Sequence, residues 1–137
     1  MNLEKNEVLL FPTDTVLGIG CLLSEECIMK LRKVTERPKN KPFAILLSDK
    51  EDVKNWVKNI PEVFSKLSKY LPGPLTLVLE GPESLPEGVL SSRGTVGIRI
   101  PDSDDLRDLI RNSGLPMVAT SANISGQPAP VTAQEVL

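Results

Sequence analysis

Residues 8–22, VLLFPTDTVLGIGCL, place two apolar runs on either side of a short polar turn. The first run, residues 8–11, ends at Pro12, which is typical of a short buried strand because proline cannot donate to a sheet ladder. Residues 17–22 form the second run and indicate another strand. A dinucleotide-binding fingerprint needs a third glycine and a helix that starts directly after it, and this run has neither. Its two glycines therefore favour a strand whose backbone passes close to a neighbouring segment.

The rest of the chain alternates between helical and extended patterns. Ser24 can cap a helix whose apolar residues Cys27, Ile28, Leu31 and Val34 recur at helical spacing, and which should end before the Pro at position 38. Further strands are predicted over residues 43–47, 75–79, 96–100 and 117–120. Further helices are predicted from residue 48 or 49 to about 57, from 61 to 71, and from 103 or 104 to about 112.

This alternation predicts an α/β (α+β) fold with a twisted mixed β-sheet and flanking helices. With 137 residues, 40% of them hydrophobic, we expect a single compact domain over residues 1–137. A further helical pattern begins at Thr132, just before the last residue, so we expect a domain cut short at the C-terminus.

Composition excludes several classes of protein. No apolar run approaches the roughly 20 residues that span a bilayer, and the polar start lacks the core of a signal peptide. We therefore expect a cytoplasmic protein that does not contact membranes. The absence of histidine excludes Ser-His-Asp and Cys-His triads. Cys21 and Cys27 are interpreted as small apolar residues rather than as metal ligands or a redox pair, and no protein metal site is predicted.

Positive charge is concentrated in residues 30–41, which hold six cations and one anion, so this stretch carries +5 and the remaining chain −7 of the net −2. Such a stretch indicates either a localised anion site or a solvated helix face that continues into a charged loop. Charge alone does not decide between the two.

Four segments at the ends of predicted strands carry hydroxyl, amide or basic residues. They are residues 11–15, 37–42, 99–101 and 120–126. In α/β sheets, ligands bind outside the strand ends, where loops supply polar groups. Each segment alone is more typical of an ordinary turn or helix cap than of a binding site, and only their convergence would form a pocket.

Five segments, in order, resemble the signatures of the YrdC/Sua5 family. They are FPTDTVLGIGC (residues 11–21), RPKNKPFAIL (37–46), PGPLT (72–76), VGIRIP (96–101) and TSANISG (120–126). The resemblance implies a YrdC-like α/β domain with an open, positively charged cavity. It also implies an L-threonylcarbamoyladenylate synthase, a nucleotidyltransferase that makes threonylcarbamoyl-AMP and pyrophosphate from L-threonine, bicarbonate and ATP. The product would serve the t6A modification at position 37 of tRNA, through a tRNA-modifying threonylcarbamoyl transferase complex.

The reaction of a carbamate with the α-phosphate of ATP, with Mg²⁺ as counterion, needs positioning and charge stabilisation more than a protein base. By resemblance, the candidate catalytic residues are Arg37, Ser121 and Asn123. The candidate nucleotide-binding residues are Arg37, Lys39, Lys41, Ser121, Asn123 and Ser125. The candidate threonine-binding residues are Thr13, Thr15 and Arg99.

The chain departs from the family pattern at Thr35, where the basic loop usually has lysine, and at Leu17, which replaces an aromatic residue. Two alternatives follow. One is a non-catalytic ATP- or RNA-binding paralogue, in which direct contact with tRNA is possible through the basic stretch. The other is a carbamoyltransferase domain of the hydrogenase-maturation type, against which we weigh the lack of accompanying acylphosphatase or zinc-finger segments.

Overall fold

A computed structural model describes residues 7–12 and 17–122 of the chain. Its strands are β1 (Leu9–Pro12), β2 (Leu17–Leu22), β3 (Ala44–Leu46), β4 (Thr76–Glu80), β5 (Thr95–Arg99) and β6 (Met117–Ser121). Its α-helices are α1 (Glu25–Thr35), α2 (Phe64–Leu67) and α3 (Asp104–Ser113), and two 3₁₀ helices cover Lys50–Asn55 and Ser68–Tyr70. The further helix predicted from Thr132 lies outside the described residues.

The six strands form one sheet in the order β1-β2-β6-β3-β5-β4. Among these six described strands, β3 and β5 pair in parallel and the other neighbours are antiparallel. The predicted mixed sheet with flanking helices is therefore confirmed. The apolar stretch at residues 43–47 supplies β3, which lies between β6 and β5, because a strand buried on both faces has a continuous apolar sequence.

Helix α1 begins after Ser24, whose side-chain oxygen accepts a hydrogen bond of 3.0 Å from the backbone N–H of Cys27. It ends at Thr35, before the proline that follows, as predicted. Its predicted apolar face is wrong at Val34, which is 56% exposed. Thr35 is buried instead, because its hydroxyl donates to the carbonyl oxygen four residues earlier at 2.6 Å and is thereby satisfied.

The two helices predicted between β3 and β4 are shorter than expected. The first is a 3₁₀ helix with one buried residue, Val53, and so little buried surface favours a short tight turn. The second is reduced to α2 and the following 3₁₀ turn, and Val63 is half exposed. Leu71 lies outside it in an extended conformation, because it precedes a proline.

Helix α3 has the predicted ends. The hydroxyl of Ser103 accepts the backbone N–H of Leu106 at 3.3 Å, and Gly114 ends the helix with φ of 76°. Glycine is favoured at this left-handed position because it has no Cβ. The helix leaves two apolar side chains, Leu106 and Ile110, on its buried side.

The two faces of the sheet are covered unequally. One face packs against α1 and the segments around α2 in the main core. On the other face, Leu106 and Ile110 pack over β1, β2, β3 and β6 in a second core. Among the described residues this second core has no member from β4 or β5. The β4–β5 half of this face is therefore left open, and it contains the candidate site.

The two glycines of β2 allow neighbouring groups to lie close to the β2 backbone, as predicted from the sequence. A Cβ at Gly20 would lie 2.5 Å from the carbonyl oxygen of Val118 on β6. A Cβ at Gly18 would lie 2.6 Å from the ring of Phe11, its partner on β1. The aromatic ring thus lies across the space that a side chain at position 18 would occupy.

The interpretation of the cysteines needs correction. Cys21 and Cys27 are fully buried, as small apolar residues would be, but they are joined in a disulfide that links β2 to the first turn of α1. No sequence pattern indicated the bond, since a separation of six residues suits a disulfide and an unpaired core cysteine equally well.

Reduction of this disulfide is expected to lower the free energy of unfolding by about 2 kcal/mol, because the closed loop restricts the unfolded chain. Urea unfolding with and without a thiol-free phosphine reductant measures the difference. The double variant C21A/C27A should show no response to the reductant. An equal response in the double variant would place the effect elsewhere. In a reducing compartment such disulfides are rare, so the measured stability there should be that of the dithiol.

Within residues 7–12 and 17–122, no helix combines the length and the apolar character that crossing a membrane requires.

Candidate active site

A cavity of about 380 Å³ lies on the open half of the sheet. This volume falls within the range of small-molecule sites. All four segments singled out in the sequence reach its wall, through Phe11, Arg37, Arg99 and the pair Thr120 and Ser121. The structure thus brings together three of the predicted site residues, Arg37, Arg99 and Ser121.

The other predicted site residues are placed differently. Thr13, Thr15, Asn123 and Ser125 lie outside the described residues. Lys39 and Lys41 are exposed and do not form part of the described wall of this cavity. Lys39 instead lines an adjoining cleft together with residues of the 85–92 loop.

The floor of the cavity consists of small residues on neighbouring strands: Gly18, Ala44, Gly97 and Ala119. Short side chains let a ligand lie close to the sheet. These small residues were not predicted as part of the site, although the alternation of side chains between the two faces of a strand could have indicated them. Since Val96 and Ile98 are buried in the main core, Gly97 must lie on the opposite face.

The outer wall comes from the paired strands β4 and β5. Thr76 is the register partner of Arg99, and Val78 is the partner of Gly97, so all four residues share one face. Val78 is 65% exposed and adds an apolar surface to this wall. The sequence pattern indicated the strands but not their register, and these contributions were therefore missed.

Arg37 is held in place by three hydrogen bonds. Its Nε donates to the carbonyl oxygen of Lys41 at 3.1 Å, and one terminal nitrogen donates to the carbonyl oxygen of Pro42 at 2.9 Å. The other terminal nitrogen donates to the hydroxyl of Thr120, on β6, at 3.3 Å. A guanidinium has five N–H donors, so two remain without a described protein acceptor at the wall of the cavity.

The guanidinium of Arg37 also lies over the ring of Phe43, 5.1 Å from its centroid. Burial lowers the pKa of Arg37, and the nearby charge of Arg32 lowers it further. An arginine remains protonated even so, because its ordinary pKa is far above neutrality. Arg37 is therefore a fixed, partly desolvated cation, which attracts an anion more strongly than a fully hydrated one.

Arg99 and Ser121 are the other two predicted site residues in the wall. Arg99 ends β5, where it pairs with Leu46 of β3 and Thr76 of β4. Ser121 ends β6 opposite Gly18 of β2. Both residues therefore belong to the rigid sheet, whereas Arg37 comes from the loop after α1.

The charge of the cavity favours anions. Two guanidinium groups line it, and its described wall contains no carboxylate. In the described part of the chain no cluster of three or more Asp, Glu, Cys or His side chains could hold a metal ion. These residues do not fit a protein-bound Mg²⁺, since Mg²⁺ sites use carboxylates together with substrate phosphates.

Comparison with known proteins identifies the family. A protein-family model for Sua5, YciO and YrdC proteins, described as "Telomere recombination", matches residues 1–137. The threonylcarbamoyl-AMP synthase of Bacillus subtilis is 38% identical over 137 residues, covering 98% of this chain and 40% of the relative. That of Vibrio cholerae is 32% identical over 139 residues, covering 98% of this chain and 74% of the relative.

The structure of Sua5 from Pyrococcus abyssi complexed with L-threonine is similar with a TM-score of 0.89 and 37% identity, over 96% of this chain and 39% of that one. The chain spans about 40% of the length of the Bacillus subtilis relative. The match of the family model over the whole chain, together with the shared fold and the identities, shows that this chain belongs to the Sua5/YciO/YrdC family.

Proposed function

We propose that this chain is an L-threonylcarbamoyladenylate synthase, a nucleotidyltransferase that forms threonylcarbamoyl-AMP and pyrophosphate from L-threonine, bicarbonate and ATP. The observation that carries the proposal is the cavity in which Arg37, Arg99 and Ser121 meet on the open face of the sheet. The relatives named threonylcarbamoyl-AMP synthase and the Sua5 complex with L-threonine support it.

The proposed reaction has two steps. The amino group of L-threonine combines with bicarbonate to give a carbamate and water. A carbamate oxygen then forms a bond to the α-phosphorus of ATP, and the bond to the bridging oxygen breaks, so that pyrophosphate leaves with its electron pair. The nucleophile is already an anion, and the second step therefore needs no protein base. It does need cations that offset the approach of two anions and the charge on the leaving group.

The described residues suit these requirements. The two remaining N–H donors of Arg37 would bind phosphate oxygens, and its fixed position would avoid reorganisation during reaction. Arg99 would bind the carboxylate of threonine or a phosphate, since a guanidinium matches either group with two parallel hydrogen bonds. Ser121 would donate to a phosphate or to the carbamate.

Residues outside the described wall complete the proposal. Asn123 and Ser125 would add donors to phosphate, Thr13 and Thr15 would contact threonine, and one of the exposed lysines, Lys39 or Lys41, would approach the triphosphate from outside. ATP would carry Mg²⁺ into the site.

The product would be used in t6A formation at position 37 of tRNA. A mixed carbamic–phosphoric anhydride is short-lived in water, so a tRNA-modifying threonylcarbamoyl transferase complex would have to take it over. Since ATP and tRNA are both cytoplasmic, we place the reaction there.

The direct test is incubation of the 137-residue chain with MgATP, bicarbonate and radiolabelled L-threonine. We expect labelled threonylcarbamoyl-AMP and an equal amount of pyrophosphate, and neither when threonine is omitted. Pyrophosphate formed without threonine would indicate simple ATP hydrolysis. No product despite measurable ATP binding would favour the non-catalytic paralogue, and turnover with carbamoyl phosphate in place of threonine and bicarbonate would favour the carbamoyltransferase alternative.

A substitution at Thr35 tests the non-catalytic alternative separately. The side chain is buried at the end of α1, with its hydroxyl bonded inside the helix. If the missing lysine explains a lack of turnover, the variant T35K should gain product formation. If T35K is as inactive as the parent, position 35 is not the cause.

A further inference from the structure

Arg32, in the last turn of α1, is directed at the loop that carries Arg37. Its Nη1 donates to the carbonyl oxygen of Arg37 at 3.3 Å and makes a shorter hydrogen bond to the carbonyl oxygen of Pro38. One terminal nitrogen therefore bridges the two consecutive carbonyls that follow the helix. In the sequence, Arg32 is one of the six cations of the basic stretch at residues 30–41.

The same arginine shares an aromatic ring with Arg37. The guanidinium carbon of Arg32 lies over Phe43 at 5.1 Å from the ring centroid, the same distance as that of Arg37. Phe43 is 1% exposed, so its ring is fixed by the core. An attraction of each cation to a ring of fixed position restricts both guanidinium groups.

The backbone of Arg32 takes part as well. Its carbonyl oxygen accepts the N–H of Glu36 and, at 3.1 Å, the N–H of Arg37. Glu36 has φ of 52°, a left-handed conformation that a residue with a Cβ adopts only when its surroundings require it. The turn that directs Arg37 away from α1 thus depends on both the main chain and the side chain of Arg32.

The loop on the far side leaves room for this side chain. A Cβ at Gly88 would lie 3.1 Å from a terminal nitrogen of Arg32, and the carbonyl oxygen of Gly88 accepts the N–H of Phe43 at 2.6 Å. Gly88 therefore lies next to both Arg32 and Phe43. Three separate chain segments, 32–38, 43 and 88, hold the arrangement together.

We propose that Arg32 is a positioning residue for the anion site: its guanidinium fixes the main chain at residues 37–38 and, through the ring of Phe43, the orientation of the Arg37 guanidinium. Arg32 does not line the cavity itself. It acts through Arg37, and the functional part of the inference rests on the proposed function, whereas the positioning of Arg37 does not.

Two variants and a matched control test the positioning. R32M keeps the length of the stem and removes both hydrogen bonds and the charge. R32K keeps the charge and loses the planar group. K33M removes a neighbouring exposed cation from the same helix turn, which makes no described contact with Phe43 or Arg37. The readout is hydrogen exchange at the Nε–H of Arg37, which donates to Lys41, in ¹⁵N-labelled protein. R37K assigns the signal by its loss.

We expect exchange at Arg37 to accelerate at least about tenfold in R32M and to a smaller extent in R32K, because charge-assisted hydrogen bonds are lost, and to stay within about twofold in K33M. Unchanged exchange in R32M, or equal acceleration in K33M, would overturn the inference. A merely structural role would lower the melting temperature without changing this signal. Should R32M fail to fold, R32K decides the question: its exchange must exceed that of the parent chain.

A second measurement separates this inference from the proposed function. Inorganic triphosphate serves as the probe in calorimetric titrations of the same proteins. We expect R32M to bind it about tenfold more weakly than the parent chain, and K33M about equally. If the parent chain binds no triphosphate while Arg37 still loosens in R32M, the proposed function fails and the positioning stands.

Discussion

The variant R37M is expected to form threonylcarbamoyl-AMP about a hundred- to a thousandfold more slowly than the parent chain, the range observed when one preorganised donor to developing charge is removed. The reason is that Arg37 is the one loop-borne cation in the described wall of the cavity, and it is fixed there by Lys41, Pro42 and Thr120. Initial rates of pyrophosphate release at saturating threonine measure the effect.

Two further variants control for loss of charge and loss of folding. R93M removes an exposed arginine of the 81–94 loop and should stay within about twofold of the parent rate. R37K retains the charge but cannot reach two carbonyls and a hydroxyl from one planar group, and it should recover only part of the lost rate. A parent-like rate in R37M would remove Arg37 from the mechanism, and with it the proposed arrangement of the site.

A valine at position 97 is expected to weaken ATP binding by about ten- to a hundredfold, which corresponds to a cost of about 1–3 kcal/mol for forcing extra groups into an occupied space. Gly97 lies on the cavity floor, where a Cβ would meet Thr76 at 3.6 Å and Ala44 at 3.7 Å. These are ordinary contact distances for a Cβ, and we expect the two methyl groups of valine to extend into the cavity and reduce its volume. Calorimetric titration with MgATP measures the affinity.

The same substitution at Gly20 provides the matched control. There a Cβ would lie 2.5 Å from a backbone oxygen of Val118, so G20V should lower the free energy of unfolding by about 1–3 kcal/mol. G97V should unfold at about the same urea concentration as the parent chain, since valine favours strands more than glycine does. If G97V bound MgATP as tightly as the parent chain, the ligand would have to lie elsewhere.

The order of strands and helices could be predicted because each element had a local cause. Ser24 and Ser103 cap α1 and α3, Gly114 ends α3, and the continuous apolar run at residues 43–47 marks the central strand. Where burial was the deciding factor, prediction was weaker. Val34 fits the helical period but lies in solvent.

The candidate site could be predicted in part. Polar and basic residues near the ends of predicted strands pointed to Arg37, Arg99 and Ser121, but a period of two says nothing about which strands become neighbours. The small floor residues and the contact of Thr120 with Arg37 became apparent only with the strand order. The contact of Arg32 with Phe43 depends on tertiary packing across eleven positions of sequence, and no local pattern encodes it.

In the proposed arrangement, the open half of the sheet binds the phosphates of a nucleotide between Arg37 and the ends of β5 and β6. Titration of ¹⁵N-labelled chain with MgATP, followed by amide chemical shifts, locates the bound nucleotide. We predict the largest shifts at residues 37–44, 97–99 and 119–121. Shifts confined to the adjoining cleft around Lys39 and residues 85–92, or to the outer face of α1, would contradict it.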